Sequence, residues 1–424
     1  MRDKAILIGV QRKGVPIWEV NDHLDELEQL LDTAGGETVA RFVQERYTPH
    51  AGLFIGEGKV EELAGIIAAT DAVLAVFDDD LTPGQARNLE KRLHCKVMDR
   101  AGLILDIFAT RARTREARIQ VELARSLYLL PRLTGRWSHF SRQYGGVGAR
   151  RGPGETQLEI DKQAIKRKVT QLRAELARIE RSRETRRHKR RDFFKVAIIG
   201  YTNAGKSTLL NALTHANVFV ENRLFATLDP TVRSLRLDDG QRILLIDTVG
   251  FIRKLPPGLV ASFRSTLEES RQADLFIHVV DISHPHWEGQ LARTDDLLKE
   301  MKLDKIPQIL ALNKVDAIED ATLLEGLNRQ YPGALFISAS RGIRLYEIPK
   351  RIAEFARRRW VRGVVRFKPD EAERLFDFER DVQIVGKSFI DGFIQLEYLT
   401  LDTSAVTEKH ELLDSDWDEE DGEQ

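Results

Sequence analysis

The stretch that most limits how this chain can fold is "KVAIIGYTNAGKSTLLNALT", Lys195 to Thr214. It joins an apolar run to an amphipathic one through a loop bounded by glycines. "GYTNAGKS" fits G-x-x-x-x-G-K-[ST], a loop that works only where a strand ends and a helix begins, because its amides and the helix N-terminus must face one anion. The surroundings must then be an α/β sheet. Within the loop, Gly200 and Gly205 let the backbone wrap phosphate oxygens, Lys206 is expected to bridge β- and γ-phosphates, and Ser207 to reach Mg²⁺. The expected nucleotide contacts also take in Asn203, Ala204, Thr208 and Phe225.

The base is read further along. "QILALNKVD" ends an apolar strand in a motif whose Asp316 can accept from both N1–H and the N2 amino group of guanine. Adenine lacks that donor pair and would leave the carboxylate desolvated and unpaired, at about 1–3 kcal/mol or more. Asn313 and Lys314 are expected to brace the base and the phosphate loop, while "SAS", Ser338 to Ser340, offers the amide of Ala339 to guanine O6. "LLIDTVGF" supplies a third element, with Asp247 holding Mg²⁺ through water and the Gly250 amide sensing the γ-phosphate. In "FATLDPT", Thr227 is the choice for the second Mg²⁺ hydroxyl, with Thr231 as its rival. Lys206, Thr227 and Gly250 are thus the catalytic candidates.

One part is missing. Where many GTPases carry a water-orienting Gln, this chain has Phe251, which cannot position a nucleophile, so intrinsic hydrolysis is expected to be slow. Asn203 is a candidate K⁺ ligand beside the phosphates, against a purely structural role.

A chain of 424 residues, 42% of them apolar, suggests roughly three domains. Residues 1–110 alternate short apolar runs with amphipathic ones, as a parallel α/β domain would. In "NDHLDELEQLLDTAGG", Leu24, Leu27, Leu30 and Leu31 share a helical face, with Asn21 or Asp22 as the expected cap and Gly35–Gly36 as the stop. Residues 193–360 return to α/β alternation around the phosphate loop, and 361–424 form a small mixed domain with an acidic tail. The lone Cys95 excludes an internal disulfide and, with no membrane-length apolar run and no signal-peptide core, fits a soluble cytoplasmic protein.

The near-zero net charge, 65 basic against 66 acidic residues, conceals its layout. Residues 111–191, most of the segment 111–192, hold 23 Lys and Arg against 8 Asp and Glu, a surplus of about 15. Two apolar stripes, Ile119–Leu123–Leu127–Leu130 and Ile165–Val169–Leu172–Leu176–Ile179, predict antiparallel helices. The Gly-rich loop between them mixes Trp137, Phe140 and Tyr144 with Arg132, Arg136, Arg142, Arg150 and Arg151. Stacking rings and guanidinium groups on flexible backbone suit irregular RNA.

"DRAGLILDIFATRARTREARIQVELA", "RGPGETQLEID" and the run from "GYTNAGKSTLLNAL" through "DTVGFIRKLP" resemble the HflX family of translational GTPases, over all but the last 60 or so residues. That resemblance implies an N-terminal α/β domain, a helical hairpin, a Ras-like G domain, binding to the large ribosomal subunit, and GTP-dependent dissociation of stalled or idle ribosomes under stress. It places nucleotide contacts on Gly200 to Ser207, Thr227, Asp247 to Gly250, Asn313 to Asp316 and Ser338 to Ser340. Family members are also described as using ATP through the N-terminal domain. "GLFIGEGKVEEL", with Gly52, Gly56 and Gly58, is the place to look, although a turn before a helix explains it better. The expected protein is a monomer. Two other functions compete: a GTP-timed ribosome-assembly factor without splitting activity, and an RNA-modifying GTPase, for which Cys95 is a poor nucleophile.

Overall fold

The computed structural model describes residues 2–135, 153–187, 193–214, 224–225, 231–238, 240–254 and 271–401. The chain divides into two compact units: one comprises Met1–Glu180 with Glu221–Asp229 and Ile252–Ser265, the other Arg181–Val220, Pro230–Phe251 and Thr266–Gln424. The loop residues Trp137, Phe140, Tyr144, Arg136, Arg142, Arg150 and Arg151, together with Thr227 and the acidic tail, lie outside the described residues.

In the first unit β1 (Lys4–Gln11), α1 (Ile17–Ala34), β2 (Glu37–Glu45), α2 (Glu57–Thr70), β3 (Leu74–Phe77), α3 (Pro83–Leu93), β4 (Lys96–Asp99) and α4 (Arg100–Arg111) follow in order. The strands pair in parallel as β2-β1-β3-β4. Leu24, Leu27, Leu30 and Leu31 of α1 are all buried, and Gly35 caps the helix at φ 90°. The start of α1 differs from expectation. Neither Asn21 nor Asp22 caps it; the helix begins at Ile17 after an extended Pro16, because Val20 extends the buried stripe by a turn. Packing outweighs the local cap there.

Helices α5 (Arg115–Leu129) and α6 (Pro153–Arg187) are antiparallel: Arg115 pairs with Glu175 while Glu122, seven residues on, pairs with Lys168, seven residues back. Ile119, Leu123 and Val169 are buried on the facing stripes. Arg132, counted above among the RNA-facing arginines, is a correction. Its guanidinium lies 3.6 Å from the Tyr128 ring centroid and donates to Asp99 Oδ2 (2.7 Å) and the Leu81 carbonyl (2.9 Å). It braces the first unit.

The second unit holds β5 (Phe194–Gly200), α7 (Lys206–Thr214), β6 (Thr231–Arg236), β7 (Arg242–Asp247), β8 (Leu275–Asp281), α8 (Trp287–Glu300), β9 (Gln308–Asn313), α9 (Ala321–Gln330), β10 (Leu335–Phe336) and α10 (Glu347–Arg357). Its strand order is β10-β9-β8-β5-β7-β6, parallel except for β6. Successive connections leave β5 toward opposite edges, which opens a crevice at the strands' carboxyl ends. Gly200, Asp247, Asp281 and Asn313 are the last residues of β5, β7, β8 and β9. Beyond them β11 (Val361–Phe367), α11 (Ala372–Asp381), β12 (Gln383–Ile390) and β13 (Phe393–Thr400) form an antiparallel β11-β13-β12 sheet packed around Phe378 and Tyr398. No helix among the described residues is long and apolar enough to cross a membrane.

Candidate nucleotide site

Buried Val196, Ile198 and Ile199 drive β5 through the core and deliver Gly200 to its end. Gly200 has φ 142°, and a Cβ there would stand 2.1 Å from the Val279 carbonyl oxygen. Gly205 has φ 99°, with Asn313 Nδ2 2.3 Å from where its Cβ would be. Both positions therefore require glycine, on conformation and on space. Asn203 is exposed at φ 62°, a left-handed conformation that Asn adopts more readily than most residues. Lys206 is buried at the start of α7, and its Nζ donates to the Tyr201 carbonyl at 2.6 Å. Burial pushes its ammonium down to about 8, against the opposing pull of Asp247. Ala204 is buried, and Thr208 lies in the first turn of α7.

Ser207 Oγ donates to Asp247 Oδ2 at 2.7 Å, so the two oxygens expected to serve Mg²⁺ already meet. Thr231 stands opposite Asp247 in the β6–β7 register. Gly250 is packed tightly: a Cβ would lie 2.8 Å from both Lys206 Nζ and Thr202 Cα. Phe251 is a core residue, bridged to Tyr201 through Phe251 N–H to Gly200 O (3.0 Å) and Thr202 N–H to Phe251 O (2.8 Å). It has no freedom to reach a nucleophile. Phe225 is the clearest correction among the predicted contacts. Its ring is buried in the first unit, edge-on to Phe108 at 4.5 Å, and serves packing there.

On the base side, Asn313 is 2% exposed and joins two loops. Its Nδ2 donates to Ala204 O (2.8 Å) and its Oδ1 accepts from Ala339 N–H (3.0 Å). The Ala339 amide, assigned above to guanine O6, is thus engaged by Asn313 and would have to be shared with the base. Lys314 pairs with Asp281 at 2.6 Å, which sets its side chain across the crevice. Asp316 is partly exposed, with Arg341 3.9 Å away. Ser338 is buried; its Oγ lies 3.3 Å from Ser340 Oγ and accepts from Arg341 N–H. Sequence reasoning missed Asp281 and Arg341, although Asp281's place at a strand's carboxyl end was a usable signal. It also missed His278, buried in β8 and pushed down to about 4 by burial and Lys206, against a hydrogen bond to Gln308.

These groups fit a guanine nucleotide with Mg²⁺: two sterically obligatory glycines, a buried lysine, an adjacent hydroxyl and carboxylate, and an acid at the base end. Mg²⁺, when bound, neutralises charge on the β- and γ-phosphates. The "GLFIGEG" segment of the first unit uses its amides internally. Gly52 and Leu53 donate to His50 Nδ1 and Gly56 to Gln44 Oε1, and Gly56 is the N-cap of α2, so it is the turn before a helix.

Three family models match the chain, described as GTP-binding GTPase N-terminal (residues 21–109), GTP-binding GTPase Middle Region (111–190) and 50S ribosome-binding GTPase (195–314). A GTPase HflX of Flavobacterium psychrophilum is 43% identical over 84% of this chain and 91% of its own length. The GTPase HflX of Escherichia coli is 40% identical, covering 89% of each chain. Among solved structures, a GTP-binding protein from the archaeon Sulfolobus solfataricus in complex with GDP aligns at a TM-score of 0.43 and 24% identity, over 84% of this chain and 99% of that one.

Proposed function

The chain belongs to the HflX family of GTPases, and from that premise we propose that it binds the large ribosomal subunit and dissociates stalled or idle ribosomes in a GTP-dependent manner under stress. The observation that carries the reading is one chain joining a guanine-nucleotide site to a segment, 111–191, with a surplus of about 15 basic residues. Such an arm suits ribosomal RNA. The name of the matching G-domain model, 50S ribosome-binding GTPase, supports the same partner.

In this reading the protein acts as a cytoplasmic monomer. Asp316 selects guanine, Lys206 and the loop amides hold the phosphates, and Ser207, Asp247 and Thr227 hold Mg²⁺, with Thr231 as the alternative to Thr227. Core burial of Phe251 leaves the attacking water without a side chain to orient it from that position. Hydrolysis is therefore slow alone and is completed on the ribosome, with K⁺ beside Asn203 as a further contributor. The basic helical arm grips RNA while GTP is present, and hydrolysis releases it.

The test is GTP turnover by the purified protein in K⁺ buffer, with and without large subunits, followed by sucrose-gradient profiles of intact ribosomes. Strong stimulation and GTP-dependent loss of intact ribosomes are expected. Stimulation without that loss would replace splitting by the assembly-timer reading, and no stimulation would refute the ribosomal partner. Replacing K⁺ by Na⁺ at fixed ionic strength is expected to slow turnover; an unchanged rate removes the K⁺ assignment.

A further inference from the structure

Tyr201, Thr202, Asn203 and Ala204 lie between the two obligatory glycines of the phosphate loop, and three of them are accounted for. Tyr201 packs beside Phe251 while its carbonyl accepts from Lys206, Asn203 takes the left-handed turn, and buried Ala204 offers its carbonyl to Asn313. Thr202 is left over. It is 7% exposed, and its N–H donates to the Phe251 carbonyl at 2.8 Å. A Cβ on Gly250 would stand 2.8 Å from both Thr202 Cα and Thr202 Cγ2, so backbone and methyl press on that glycine. Thr202 Oγ1 is covered too, and makes no hydrogen bond to any described residue. Two nearby hydroxyls behave differently: Ser207 Oγ donates to Asp247 Oδ2, and Thr248 Oγ1 donates to the Ile198 carbonyl at 2.7 Å. All these residues belong to the second unit.

A covered hydroxyl without a partner has given up its hydration and gained nothing, so it destabilises the fold. Packing does not account for it. Valine has the same branching and nearly the same volume, and would press an identical methyl on Gly250 with no oxygen to satisfy. The place of the hydroxyl supplies the missing reason. Lys206 Nζ is also 2.8 Å from the position of that Gly250 Cβ, so it and Thr202 Cγ2 stand no farther apart than twice that distance. Oγ1 and Cγ2 share one Cβ, which puts the oxygen one staggered rotation from the methyl's place at the corner of Gly250 and Lys206. A hydroxyl there can donate one hydrogen bond, and an ionised phosphate oxygen is its strongest acceptor.

We propose that the Thr202 hydroxyl donates to a γ-phosphate oxygen and is a specificity-determining group that favours GTP over GDP. The proposal rests on the reading of Lys206 and Gly250 as γ-phosphate contacts. Thr202 thereby offsets, in the triphosphate complex, the destabilisation its unpaired oxygen imposes on the fold.

The test is calorimetric binding of GDP and a non-hydrolysable GTP analogue to the full chain and to its Thr202→Val and Thr202→Ser variants, with melting temperatures measured without nucleotide. Thr202→Val is expected to lower the analogue-to-GDP affinity ratio about tenfold or more. Its melting temperature should equal or exceed that of the wild type, because the unpaired oxygen is gone. Thr202→Ser, which keeps the oxygen and loses the methyl, should hold the ratio within about threefold of wild type. A ratio within about twofold of wild type in Thr202→Val overturns the proposal, and so does an equal loss in Thr202→Ser, which would assign the effect to the methyl. A lower melting temperature in Thr202→Val also overturns it, since the hydroxyl would then have a partner within the fold. A wild type that binds neither nucleotide overturns the nucleotide-site reading itself, a result distinct from the failure of the Thr202 assignment.

Discussion

Asn313→Ala removes a side chain that is 2% exposed and carries two bonds, one to the phosphate loop at Ala204 O and one to Ala339 N–H. Alanine can replace neither bond, so a carbonyl and an amide are left without their side-chain partner, at about 1–3 kcal/mol each. Some of that cost is relieved as the loops relax toward water. A net loss of about 2 kcal/mol in GDP binding, roughly thirtyfold in Kd, is the expected result. Asn313→Asp should be worse than alanine: it keeps an acceptor for Ala339 but sets a buried carboxylate oxygen against the Ala204 carbonyl. Affinity is the right assay, because a chain of two compact units has no single unfolding free energy to compare. GDP affinity in Asn313→Ala within about threefold of wild type would refute the claim that this side chain couples the two loops.

Further expectations concern charge and base choice. Because burial pushes the free Lys206 ammonium down to about 8, while bound phosphates must raise it, binding takes up a proton above that pH. GTP affinity should be flat below about pH 8 and fall by up to tenfold per unit above it; Lys206→Met should bind weakly with no such break, and an equal break in that variant would reassign the titration. Asp316→Asn should weaken GTP and partly admit xanthosine triphosphate, whose extra carbonyl suits an amide donor; unchanged base preference in a competition assay would sink the base-reading role. Arg150→Glu with Arg151→Glu should spare nucleotide binding while lowering ribosome affinity and its salt slope; intact affinity would move the RNA contact elsewhere.

What could be read from the residues alone was whatever short-range rules control. Eight contiguous residues specified the phosphate loop, because its amides, glycines and lysine all come from one turn. The leucine stripe of α1 specified a buried face, since side chains three and four apart share a helix surface. Alternation of apolar runs likewise announced two α/β sheets, and charge counting found the basic arm. The α1 cap was misplaced by the same local reasoning, which could not weigh the burial of Val20 one turn earlier. The tertiary structure alone decided the pairings between distant positions. The Asn313–Ala204 bond spans 109 residues and the Asp78–Lys254 bond 176, and no periodicity or motif links such residues. The same holds for Phe225, whose position in the chain suggested a nucleotide contact but whose ring is buried against Phe108. Local pattern selects elements because backbone geometry repeats every few residues. Which charged and aromatic side chains meet depends on where the sheets bring strand ends together, and on which buried charge must find a partner to offset its lost hydration.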